Sequence, residues 1–174
     1  MIAMNRWLAC ACALTLSFAP VAGDADPKAR LESAMKATEL GFVRSASGLS
    51  FQVPFTNEGD RGQTVFVSIE PSQVDGLVAH AVYTAVWTHP TQPPDEAVLV
   101  KLLTTSKKLG EFYLHRDKAG VWSVRFGATF DATDLPAESE RASRLALRLA
   151  DTIRFVNQVG EETDRMLNGA TDLR

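Results

Sequence analysis

The sequence predicts an α+β domain, with helices packed on a five-stranded antiparallel sheet in the order α-β-β-β-α-β-β-α. Three observations carry this. Residues 111–116 and 121–130 alternate apolar and polar side chains around a polar loop. A long run opening at Pro136 repeats its apolar residues at helical spacing. Three further alternating runs lie between Leu49 and Trp87, joined by short turns. Strands joined by short connections pair antiparallel, and helices between them cover one face of the sheet.

Taken in order, Met1 to Gly23 reads as an export leader. Arg6 supplies a positive end, Trp7 to Phe18 an apolar run, and Val21-Ala22-Gly23 small residues for cleavage. The run is shorter than the roughly 20 residues a permanent membrane span needs. Cys10 lies too early in it, and Cys12 lacks an aliphatic residue three positions before it, so the lipoprotein reading is set aside. Both cysteines fall in the leader, and the remaining chain therefore has no thiol or disulfide chemistry.

The expected organisation is a leader at 1–23, one domain at 24–160, and a helical or frayed tail at 161–174. About 150 residues suffice for one substantial core. Of 18 Lys and Arg, Arg6 lies in the leader, and the rest face 21 Asp and Glu. That mildly acidic balance argues against general nucleic-acid binding.

Asp26-Pro27 opens a first helix, with Leu31, Ala34, Met35 and Thr38 on one face and Gly41 as its stop. Leu49, Phe51, Val53 and Phe55 alternate with Ser50, Gln52 and Pro54. Pro54 cannot donate to a ladder, which predicts an edge strand. Residues 57–62 form a turn. Val65, Val67 and Ile69 mark a second strand closed by Pro71 and Gly76. Val78 to Trp87 is a third, with Tyr83 and Trp87 on one face and Val82 and Val86 on the other. Pro93-Pro94-Asp95-Glu96 starts a second helix that buries Val98, Leu99, Leu102 and Leu103 and ends at Gly110.

The hairpin follows. Phe112 and Leu114 alternate with Tyr113 and His115; Trp122, Val124, Phe126, Ala128 and Phe130 alternate with Ser123, Arg125 and Gly127. The last helix starts with Asp134 as cap and Pro136 in the first turn, and Glu138 and Glu140 suit its positive dipole end. Ala142, Leu145, Leu149, Ile153 and Val156 share one face; Arg141, Arg144, Arg148, Asp151 and Arg154 share the other. Gly160 is expected to end or bend it.

This order resembles the YbjN family and the related type III secretion chaperone-like (CesT-like) fold. The resemblance rests on Leu102-Leu103 through Lys108-Leu109-Gly110-Glu111-Phe112-Tyr113-Leu114, on Val121 to Phe126, and on Leu135-Pro136 opening the last helix. It implies a binding or chaperone-like domain, often dimeric, with no catalytic residues. Secretion chaperones act in the cytoplasm, so their client-delivery role does not carry over to a chain with a leader.

No reactive constellation accompanies the fold. His80, His89 and His115 are scattered, without a convergent ligand set, so no metal is expected. There is no Gly-x-Ser-x-Gly elbow and no glycine-rich phosphate loop. Ser106 beside Lys107 and Lys108 reads as a helix end. Asn57-Glu58-Gly59-Asp60 lacks the alternating ligands of a calcium loop. The expectation is no catalytic residue, no cofactor and no metal. Partner binding falls to Tyr83, Trp87, Phe112, Trp122, Arg144 and Arg148. The reading is an exported, non-enzymatic protein-binding domain that dimerises. The alternatives are a periplasmic immunity or inhibitor protein, and a small-ligand carrier.

Overall fold

The computed structural model describes residues 26–56, 62–74, 77–105, 109–132 and 139–168. The expected leader, the expected turn over 57–61 with its calcium-like residues, Ser106 to Lys108, and the predicted helix start at Asp134 and Pro136 lie outside the described residues.

The elements are α1 (Pro27–Ala37), β1 (Val43–Arg44), β2 (Ser50–Thr56), β3 (Gly62–Ser68), β4 (Ser72–Val74), β5 (Leu77–His89), α2 (Glu96–Leu103), β6 (Glu111–Arg116), β7 (Trp122–Asp131) and α3 (Ser139–Asn168). All described pairings are antiparallel, in the order β1-β2-β3-β5-β7-β6 with β4 beside β5. The α+β class and the helices on a sheet are as expected. The described residues hold seven strands rather than five. The additions, β1 and β4, are two and three residues long, too short for alternation to register.

One core joins the helices to one face of the sheet. It combines Phe51, Val53, Val65, Val67, Val82, Val124, Phe126 and Phe130 with Leu31 and Met35 of α1, Leu102 of α2, and Leu145, Leu149, Ile153, Val156 and Val159 of α3. The α3 stripe is buried as its spacing predicts, each such side chain contributing about 1.5–3 kcal/mol. Arg144, Arg148, Asp151 and Arg154 are exposed on its outer side.

α1 starts as expected. Asp26 Oδ1 accepts from Lys28 N–H at 3.1 Å, and Pro27 occupies the first turn. It ends before Gly41, however. Thr38 caps it by donating to Met35 O at 2.7 Å, and Glu39 takes the left-handed conformation at φ +60°. α2 is two turns long and ends at Leu103, before Gly110. Val98, Leu99 and Leu102 face the core, but Leu103 is 60% exposed. A helix this short touches the sheet along one narrow line, against β6.

Pro54 sits where its missing N–H costs nothing. β1 pairs only Phe51 and Gln52 of β2, so Pro54 lies beyond it, bordered by β3 alone. The edge assignment holds from that point.

α3 neither ends nor bends at Gly160; it continues to Asn168. Residues 161–168 are thus its last turns, with Thr163 buried and Leu167 against the core. Gly160 is a point of close approach. A Cβ there would lie 2.7 Å from Thr84 Cγ2 and collide with Gln63 Nε2. Beneath it, Gln63 Nε2 donates to Thr84 Oγ1 at 3.2 Å, and Thr84 donates to Thr64 O at 2.9 Å. The polar seam under the helix is thereby satisfied.

β5 contains a bulge. Ala85 pairs with Arg125 and Trp87 with Val124, leaving Val86 as the extra residue. One inserted residue inverts the alternation beyond it. Val86 stays buried, and Trp87 packs against the helix-side core. Tyr83 and Trp87 therefore do not share a face.

Candidate interaction site

The face turned away from the helices carries the other half of each strand's alternation. Cross-strand pairing sets Gln52 beside Phe66, Phe66 beside Tyr83, Tyr83 beside Gly127, and Gly127 beside Glu111. The neighbouring row runs Ala85, Arg125, Tyr113. Four half-buried side chains on this face form one group. The Phe66 and Tyr83 rings stack with centroids 5.3 Å apart and 13° between planes. The Arg125 guanidinium lies 4.9 Å from the Tyr83 centroid. Arg125 Nε donates to Ser123 Oγ at 3.2 Å, and its guanidinium lies near the Tyr113 phenol.

Gly127 makes this possible. A Cβ at that position would come within 2.9 Å of the Tyr113 ring. The bare glycine lets Tyr113 lean inward over β7. Burial raises the Tyr113 phenol above its usual pKa, opposed by the nearby guanidinium. The phenol is therefore a neutral O–H at physiological pH. Beside it lies an open groove of about 600 Å³, lined by Ala81, Leu109, Gly110, Glu111, Tyr113, Gly127, Ala128 and Thr129.

Such a surface can bind in two ways. Aromatic rings offer large apolar area at small entropic cost. A guanidinium already oriented over a ring presents donors to carbonyls and carboxylates. Aromatics and arginine are the side chains that dominate protein interfaces.

The six residues expected to bind partners divide. Tyr83 is at the centre of the open face. Phe112 is core, tilted against Phe126 at 5.0 Å. Trp87 is on the helix side and stacks on His89 at 6.0 Å. Trp122 is half-buried under the Arg116 guanidinium at 5.1 Å. Arg144 and Arg148 stand on the outer surface of α3. The structure does not gather these six. Phe66, Tyr113 and Arg125 complete the group around Tyr83. Phe66 alternates with the buried Val65 and Val67, a signal visible in the sequence.

The histidines have local roles. His80 is fully buried, with Nδ1 2.9 Å from Ser68 O. That carbonyl can only accept, so Nδ1 carries the proton, and Nε2 is buried without a partner. His89 Nδ1 accepts from Gln92 N–H at 3.0 Å and tightens the loop after β5. His115 lies along β6. Among the described residues, no three His, Cys, Asp or Glu cluster to hold a metal. No described helix is long and apolar enough to cross a membrane, which leaves strands unaddressed.

No family model matches the chain, and no curated protein does. Among solved structures, it is similar to the crystal structure of YbjN, a proposed transcription regulator from E. coli. The match covers 80% of this chain and 92% of that one, with a TM-score of 0.50 and 8% identity. The fold is YbjN-like. At that identity the likeness concerns architecture alone.

Proposed function

We propose that the chain is an exported, non-enzymatic, chaperone-like domain that binds protein through the open face of its sheet and acts as a homodimer. One observation carries the reading: the Phe66–Tyr83–Arg125–Tyr113 group stands on the sheet face that no described helix covers. Core-forming aromatics would bury themselves on the helix side, as Phe112, Phe126 and Phe130 do. An uncovered aromatic group with an oriented arginine marks an interaction surface. The YbjN-like architecture supports a binding domain, and the leader read in residues 1–23 supports export.

Crosslinking in intact cells, followed by mass spectrometry, tests this with the full chain. The expected result is a protein adduct with wild type that is lost in Tyr83→Ala/Arg125→Ala. Adducts unchanged in the double variant would remove the open face from the reading. The identity of the captured protein separates a chaperone's client from an enzyme held inactive by an inhibitor.

A further inference from the structure

The open face is not uniform. Strand pairing sets Ala81 beside Thr129, both exposed, and the next position on β7 with the same orientation is Gly127. These small residues form the floor of the groove of about 600 Å³. Larger side chains rise from β6 and the residues before it. Tyr113 leans over Gly127, the residue paired with Glu111, and so brings its ring toward that carboxylate. Leu109, 69% exposed, adds an apolar wall.

Charge is sorted across this surface. Glu111 is the one charged side chain that lines the groove. Among the described residues, no cation pairs with it. Arg125 lies opposite Tyr113, two positions along the ladder from the Glu111–Gly127 pair, a spacing of about 7 Å. Its guanidinium is turned to Ser123 and the Tyr83 ring, and it does not line the groove. Both charges reach the Tyr113 phenol, Arg125 lowering its pKa and Glu111 raising it, behind the larger effect of burial.

The group that complements such a groove is apolar along a stem and positive at its tip. An alkyl stem covers Ala81 and Leu109, and a cation meets both the ring face and the carboxylate. An anion would meet the like charge of Glu111. A wholly apolar side chain would strip water from that carboxylate and return nothing to it. The guanidinium donors of Arg125 that Ser123 leaves free suit the carbonyls of a backbone carrying the cation.

We propose that the groove takes the basic side chain, Lys or Arg, of an extended segment of a partner protein, with its stem on Ala81 and Leu109, its cation between the Tyr113 ring and Glu111, and its backbone carbonyls toward Arg125. This rests on the open face as the binding surface and names the chemistry that the face selects.

Amide NMR titration of the folded chain with the peptide acetyl-Ala-Lys-Ala-amide tests it. Saturable shifts are expected at Glu111, Gly127 and Thr129. The same peptide with norleucine for lysine keeps the stem and loses the cation, and should bind about tenfold more weakly. Glu111→Gln should weaken the lysine peptide about fivefold and leave the norleucine peptide unchanged. n-Butylamine, a cation and stem without a backbone, should bind more weakly than the lysine peptide. Absence of saturable shifts, equal affinity for the lysine and norleucine peptides, or indifference of the lysine peptide to Glu111→Gln overturns the proposal. n-Butylamine binding as tightly as the peptide assigns the groove to free amines and overturns a protein segment as its occupant. If any of these results accompanies cellular adducts that are lost in Tyr83→Ala/Arg125→Ala, the open face stands and only the groove's part falls. Adducts unchanged in that double variant overturn the open face and this inference with it.

Discussion

Gly160 of α3 and Thr84 of β5 approach so closely that no side chain fits between them. A Cβ on Gly160 would sit 2.7 Å from Thr84 Cγ2. Alanine gains about 1 kcal/mol of helix propensity over glycine. Overpacking a filled site costs about 1–3 kcal/mol. Gln63, which the new methyl also meets, can swing its amide away, but Thr84 is short, β-branched and fully buried. Gly160→Ala is therefore expected to lower stability, by up to about 2 kcal/mol in urea unfolding, the overpacking cost exceeding the propensity gain. Thr84→Ser keeps the hydroxyl and removes Cγ2, so adding it to Gly160→Ala should return part of that loss. A stabilising Gly160→Ala would show that the helix can lift from the sheet at no cost.

The α3 stripe gives a sharper contrast. Leu149 is fully buried and Leu147, two residues away, is 62% exposed. Leu149→Ala should lose about 2–5 kcal/mol through lost burial and a residual cavity. Leu147→Ala should stay within about 0.5 kcal/mol of wild type. Equal effects in urea titrations would mean the helix docks with another face.

His80 links the core to pH. Burial is the main cause of its lowered pKa, opposed by its bond to the Ser68 carbonyl. The folded state thus holds His80 neutral at pH values where the unfolded chain, with an ordinary value of about 6.5, takes up a proton. Between the two values the unfolded state binds more protons, so stability is full above about pH 6.5 and falls as pH drops toward the folded value. Melting midpoints at mildly acidic and neutral pH should show wild type weakened by acid. His80→Phe should show a shallower dependence. An unchanged slope in the variant would assign the acid sensitivity to other groups.

The open face should behave as surface rather than core. The Phe66–Tyr83 stack and the Arg125 contact on Tyr83 are each worth about 0.5–1.5 kcal/mol. Tyr83→Ala/Arg125→Ala should therefore fold, with its melting point lowered by only a few degrees, while Phe126→Ala, in the core, loses about 3–5 kcal/mol. A double variant that unfolds outright would show that these side chains hold the sheet together.

Much of the fold was legible in the sequence because period decides it. Alternation from Phe112 to Phe130 and helical spacing from Leu145 to Val156 report directly which side chains face the core. What escaped was set by contacts between distant segments. Gly160 looks like a helix terminator until Thr84 and Gln63 are brought beneath it. Trp87 appears to share a face with Tyr83 because a bulge at Val86 leaves no mark on composition. Of the candidate site, Tyr83 could be placed from its strand alone. Phe66, Tyr113 and Arg125 could be grouped with it only once the register between β3, β5, β7 and β6 was known. Arg144 and Arg148 were drawn in by charge, which on a helix surface usually reports solvent.

A photo-crosslinking side chain placed at Phe66, compared in living cells with the same group at Arg148, tests the central claim most directly. Binding through the open face predicts a discrete protein adduct from position 66 and none from position 148. Adducts from position 148 alone, or none from position 66 when the protein is folded and abundant, would contradict it.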